Sequence, residues 1–218
     1  MLNGRIFENM ENVKNNTRIL EVPPVNQTQN NTVYKNRVIN MFGYFDDENC
    51  KSIVEQLIKW EEEDSLILYR HSQQINQIDN PSKLLKPIIV NINSPGGNVD
   101  QLLAIVDMLN SMTATVITRA IGQACSCGFI LFAIGDERYI GNNSMIMYHG
   151  IRWGFQGQEP DHANYLKNAK KVQKRIDKMI SSRTGVKMKT LETWRTQPDK
   201  WLDAKEAVDL GVATDYLY

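Results

Sequence analysis

The chain has 218 residues, 42% of them hydrophobic, and its 25 basic side chains balance 25 acidic ones. That length favours one compact domain with decorations. The zero balance removes any bulk electrostatic case for nucleic acid or an anionic membrane as a partner. No apolar run approaches the roughly 20 residues of a spanning helix, and Met1–Arg5 opens no signal-peptide core. Cys50, Cys125 and Cys127 are too few for a disulfide framework, and Cys125-x-Cys127 is not a zinc spacing. A cytoplasmic chain with neither metal nor cofactor is therefore expected.

Residues 1–33 are rich in Asn, Gln and Thr around Pro23-Pro24 and show little periodicity. They read as a poorly ordered arm. The domain itself is expected over residues 34–218. Val38–Phe42 is a first core strand ended by Gly43. Asp46 or Asp47 then caps a helix whose Ile53, Val54, Leu57 and Ile58 share one face. The acidic run Glu61–Asp64 should fray its end, because negative charge there opposes the helix dipole. Residues 65–86 read as an insertion, with Leu66–Tyr69 a candidate strand and His71 in a solvated loop.

Ile88–Val90 resumes the core as a buried strand. Val99–Met112 is an apolar-striped helix and Thr115–Ile121 the next strand. Ser126 opens a second apolar helix that stops at Gly135. Short strands flank the Gly141-Asn142-Asn143 turn, and His149 ends the second of them. Gly150–Pro160 reads as a loop or irregular extended arm. Asp161 then caps a long helix to Thr184, with Leu166, Ala169, Val172, Ile176, Met179 and Ile180 on one side and Gly185 as its stop. A short helix near Lys189–Arg195, a capping box at Asp203 and Glu206, and Val212–Tyr216 complete an α/β pattern.

Serine is a poor nucleophile at neutral pH unless a base lies within hydrogen-bond reach. The chain offers three histidines: His71, His149 and His162. His162 sits among polar neighbours at a helix start and reads as surface. His149 ends a strand before a glycine, where a side chain can enter a cleft, and is the best base available. A carboxylate is then needed to orient the imidazole. Spacing does not choose among the many present, although Asp199 lies in a loop rather than on a helix face. A serine at a helix start has free backbone N–H groups beside it, so the N–H of Cys127 can face a developing oxyanion. Gly96-Gly97 forms a second corner where backbone can approach a substrate. Taken alone, Ser126 merely capping a buried helix explains the pattern equally well.

Asn93-Ser94-Pro95-Gly96-Gly97, followed by Ile121-Gly122-Gln123-Ala124-Cys125-Ser126-Cys127-Gly128, resembles the Clp protease proteolytic subunit family (ClpP, the S14 serine peptidases). Arg37-Val38-Ile39, Gln156-Gly157-Gln158 and Trp201–Ala207 extend the resemblance to about residues 37–216. It implies Ser126 as nucleophile, His149 as base, Asp199 as acid, and the N–H groups of Gly97 and Cys127 as oxyanion hole. The implied fold is α/β, a crotonase-like ββα superhelix with a protruding helix-strand handle entered by Gln156–Leu166. The implied assembly is two face-to-face homo-oligomeric rings of seven enclosing a chamber for peptide and protein substrates. An AAA+ unfoldase would feed that chamber and consume the ATP.

This chain departs from the family pattern at Cys127, where methionine is usual, at Gly150, and at Pro198, where an arginine of ring-to-ring contact is usual. Three other readings stand beside the unfoldase-fed peptidase. One is a virus-encoded relative that trims capsid proteins without an unfoldase. Another is a non-catalytic ring subunit, and the last is a crotonase-type acyl-CoA enzyme.

Overall fold

Three parallel strands carry the fold: β1 (Arg37–Phe45), β2 (Ile88–Gly97) and β3 (Val116–Cys125). The computed structural model describes residues 37–71, 80–154, 156, 158–196 and 198–217. The asparagine-rich arm lies outside them. In chain order the remaining elements are α1 (Asp47–Arg70), a 3₁₀ turn (Pro81–Leu84), α2 (Val99–Ser111) and α3 (Cys127–Ala133). Then come β4 (Glu137–Ile140), β5 (Met145–Tyr148), α4 (Glu159–Thr184), α5 (Met188–Thr196), β6 (Lys200–Leu202), α6 (Ala204–Asp209) and β7 (Asp215–Tyr216). Among the described residues this is a mixed α/β fold of one seven-stranded sheet and six α-helices.

The sheet runs β1-β2-β3-β4-β7, and β3 forks. Its first half, Ile117–Ala120, pairs β4, while its last residues, Gln123–Cys125, pair β5. Gly122 makes the bend between them at φ +81°, a left-handed conformation that favours glycine. Its N–H is taken by Ser144 Oγ at 2.9 Å, and that hydroxyl donates to Ala120 O at 3.1 Å. The turn before β5 is thus fastened to the fork. β6 then adds to β5 antiparallel.

Several expected boundaries move. β1 continues through Gly43 (φ +85°), where the pairing register with β2 slips, instead of ending there. Asp46 is the cap of α1, its Oδ1 accepting from the N–H of Asn49 at 2.9 Å. The helix does not stop at the acidic run; it continues to Arg70, so Leu66–Tyr69 is helical rather than a strand. The cause is Arg37 of β1. Its guanidinium donates to Asp64 at 2.6 Å and to Glu63 at 3.2 Å, and it lies over the Trp60 ring. A countercharge from another element outweighs the dipole penalty, and Leu57 and Leu68 bury on the same face. His71 is half-buried as the cap of this helix, with Nδ1 against Ile67 O at 2.9 Å.

The long helix α4 opens at Glu159 after Gln158, so Asp161 lies inside it and is not its cap. Gly185 closes it in the left-handed conformation, as expected. Leu166 departs from the expected stripe: it is 54% exposed, whereas Ala169, Ile176 and Ile180 are buried. No strand forms among the described residues between β5 and α4. The capping box at Asp203 and Glu206 is present.

At the centre lies α3, all seven of whose residues are buried. A helix apolar on every side must be surrounded. Here it packs against β2, β3, β5, α2 and α4. Its first residue follows Ser126, so the serine is carried at the start of a fully enclosed helix. No helix among the described residues is long and apolar enough to cross a membrane.

Candidate active site

Ser126 stands on the sharp corner between β3 and α3. It is the one non-glycine residue with positive φ (+55°) among those described, and its side chain makes no capping bond to the helix. Left-handed backbone at a residue with a Cβ costs about 1–3 kcal/mol and persists only where surrounding structure enforces it. A serine serving merely as cap would have extended backbone and an Oγ bonded to the next turn. Ser126 has neither. Its N–H donates to Met147 O at 2.8 Å, locking the corner to β5.

The Gly96-Gly97 corner closes against this serine. A Cβ on Gly96 (φ +111°) would fall 2.7 Å from Ser126 Cβ and 3.2 Å from Oγ. A Cβ on Gly97 (φ +150°) would fall 2.6 Å from Phe45 N, inside the β1 backbone. Both positions therefore need glycine, for space as well as for conformation. Ser94, fully buried, holds the corner by accepting the Gly96 N–H at 3.0 Å. The Cys127 thiol donates to Gly97 O at 3.2 Å and ties the helix start to the same corner. Burial pushes that thiol up to about 11, so it stays protonated and donating. The Cys127 side chain is thus a structural brace and not a bystander.

His149 follows β5, two residues beyond the carbonyl that holds the Ser126 N–H. In the β5–β6 ladder Tyr148 pairs Lys200 and Met147 pairs Trp201. Continued by one step, that register sets His149 opposite Asp199. The Asp199 charge also reaches Cys125, whose thiol is raised first by burial and then by this carboxylate. Backbone topology thus gathers Ser126, His149 and Asp199 at one end of the sheet.

Their side chains are not joined to one another. His149 Nδ1 lies 2.5 Å from the carbonyl of Gly150. A carbonyl only accepts, so Nδ1 is the donor in this contact, the tautomer that leaves Nε2 facing away from it. The Asp199 carboxylate takes Arg152 Nη2, at 2.8 and 3.2 Å.

Sequence reasoning passed over Arg152, Ser94, Gln173 and Asp177. Gln173 and Asp177 lie one turn apart on α4 beside the buried Ala169–Ile176–Ile180 stripe, and a carboxylate on a core-facing stripe was the available signal. Arg152 gave none, because its partner is distant in sequence. Of the other histidines, His162 is exposed, at an apolar groove with Trp153, Tyr165 and Leu166. No cluster of three or more His, Cys, Asp or Glu suited to a metal occurs among the described residues.

Against known families, the Clp protease model matches residues 24–216. The chain belongs to the Clp protease family. The match spans the Gly96-Gly97 corner, the Gly122 bend, the Ser126 elbow, β5 and β6. Membership makes this a ClpP-like peptidase of serine type, the class of chemistry to which a strained serine between two backbone corners is suited.

Proposed function

We propose that the chain is a serine endopeptidase in which Ser126 attacks the peptide carbonyl, His149 accepts its proton and Asp199 orients the imidazole. The observation that carries this is the meeting of two registers. Ser126 is bonded through its N–H to β5, and the β5–β6 pairing leads on to His149 opposite Asp199. In the reaction Nε2 takes the Oγ proton as the C–O bond forms, and later returns it to the leaving amine. The N–H groups of Gly97 and Cys127 are the proposed donors to the oxyanion, each worth about 2.7–4 kcal/mol in a preorganised site.

For this chemistry Asp199 must exchange Arg152 for His149 Nδ1, and His149 must turn from the Gly150 carbonyl. The described arrangement reads as a resting one. We further propose the ββα superhelix with α4 as its handle, a homo-oligomeric ring enclosing protein and peptide substrates, and delivery by an AAA+ unfoldase that spends the ATP. Pro198, beside the acid where an arginine of ring contact is usual, favours a second version of this reading. In it a smaller assembly acts as a processing protease, such as one trimming viral capsid proteins, without an unfoldase.

The test is a fluorophosphonate probe on size-separated native protein, with peptidase assayed on the same fractions. Labelling at Ser126 and hydrolysis in a large ring supports the chambered enzyme. Labelling and hydrolysis confined to a smaller species supports the processing enzyme. Protein that neither hydrolyses peptide nor takes the probe at Ser126 is a non-catalytic subunit, and acyl-CoA turnover indifferent to Ser126→Ala returns the crotonase-type reading.

A further inference from the structure

We propose that Gln173 and Asp177 of α4 are positioning residues that set His149 relative to Asp199. This rests on the serine-peptidase reading above and adds residues that touch neither substrate nor reacting atoms. Gln173 Oε1 accepts the Ile151 N–H at 2.7 Å, two residues after His149. Its Nε2 donates to the hydroxyl oxygen of Tyr148, the residue before His149, at 3.1 Å, and to Asp177 Oδ1 at 2.8 Å. The Tyr148 hydroxyl donates in turn to Asp177 Oδ1. One turn of helix therefore grips the chain on both sides of the base.

The same carboxylate reaches the acid's side of the site. Arg195 Nη1 donates to Asp177 Oδ2 at 2.8 Å, and Arg195 lies in the last turn of α5, close in sequence to Asp199. The Asp177 side chain is 2% exposed. A buried carboxylate is tolerable only when its oxygens are filled, and here three donors fill them. A fully satisfied buried network of this kind holds its members to one geometry. Gly150 lies flat on it: a Cβ there would meet Arg195 Cβ at 3.2 Å and Arg195 O at 3.3 Å. The Tyr148 ring also rests against Phe129 of α3, at 5.3 Å between centroids, which links the network to the helix that follows the nucleophile.

Catalytic groups must be held within about 0.5 Å of productive geometry, and a 1 Å misplacement costs about 100-fold. The experiment compares Gln173→Met, which keeps length but loses all three bonds, with Tyr148→Phe, which loses only the hydroxyl. In full-length protein, kcat and KM for a fluorogenic peptide are normalised to Ser126 sites titrated with a fluorophosphonate, and Tm is recorded. The expected result is kcat per titrated site down about 10- to 100-fold for Gln173→Met and about 3- to 10-fold for Tyr148→Phe, with KM within about twofold. A network serving stability alone lowers Tm and the number of titratable sites but leaves kcat per site unchanged, and that result overturns the proposal. If Gln173→Met does not fold, Tyr148→Phe decides by the same ratio. Wild-type protein that takes no probe at Ser126 overturns the peptidase reading and this proposal with it. Labelled, active wild type with unaltered variants overturns the positioning role alone.

Discussion

One guanidinium nitrogen of Arg152 donates to both carboxylate oxygens of Asp199, at 2.8 and 3.2 Å, across the β5–β6 end of the sheet. The pair is open to water, with side-chain exposures of 74% and 36%. Exposed pairs are worth about 0.2–1 kcal/mol, so this one is a weak competitor for the acid that His149 needs. Arg152→Ala should raise kcat/KM on short peptides, by at most about fivefold, the factor that 1 kcal/mol represents. Added salt should raise wild-type activity in the same direction, because it screens exposed charge. Unchanged or lower activity in the variant would show that Arg152 does not restrain the acid.

The three proposed catalytic side chains give separable outcomes. Ser126→Ala and His149→Ala should abolish turnover while native mass and Tm persist, since neither side chain is part of the buried core. Asp199→Asn should cut kcat by about 100-fold or more, up to about 10⁴-fold, by favouring the wrong imidazole tautomer. A peptidase assay showing full activity for Asp199→Asn removes Asp199 from the mechanism.

Gly97→Ala should damage the fold before it touches catalysis. The new methyl would sit 2.6 Å from Phe45 N at φ +150°, and such backbone strain costs about 1–3 kcal/mol. For a chain of this size each kcal/mol lowers Tm by about 2–4 °C. Calorimetry should therefore show a fall of several degrees. A variant of wild-type Tm would mean that the β1–β2 edge yields easily.

Arg37→Met tests the pair that extends α1. The Arg37 and Asp64 side chains are 8% and 5% exposed, and removing one partner of a buried pair costs about 3–5 kcal/mol. Burial already raises the Asp64 carboxyl above its ordinary 3.8 despite Arg37. A carboxyl raised on folding gives stability that is complete below the unfolded value and lost as pH rises through the folded one. Without Arg37 the folded value rises further. The Tm deficit of the variant should therefore be larger at pH 8 than at pH 5, and a deficit independent of pH contradicts this account of Asp64.

By itself the sequence determined most of the strands and helices and the Gly96-Gly97 corner, because these are local, but it missed β6 and left Ser126 readable as a plain helix cap. Apolar periodicity, caps and left-handed glycines act within a few residues. His149 stood out as the candidate base for the same reason, as the histidine closing the strand Met145–Tyr148 before a glycine. Asp199 was reached only through resemblance, because spacing could not single it out. Tertiary structure decided what depends on charges and hydrogen bonds between distant segments. Arg37 carries α1 past Glu61–Asp64, which sequence reasoning had read as a fraying end. Gly122 forks β3 so that β4 and β5 share it, and no periodicity announces a fork. Arg152 meets Asp199, and Asp177 gathers Tyr148, Gln173 and Arg195, because a charge, exposed or buried, pairs with whichever partner the folded backbone brings within about 3 Å, and sequence distance does not enter that choice.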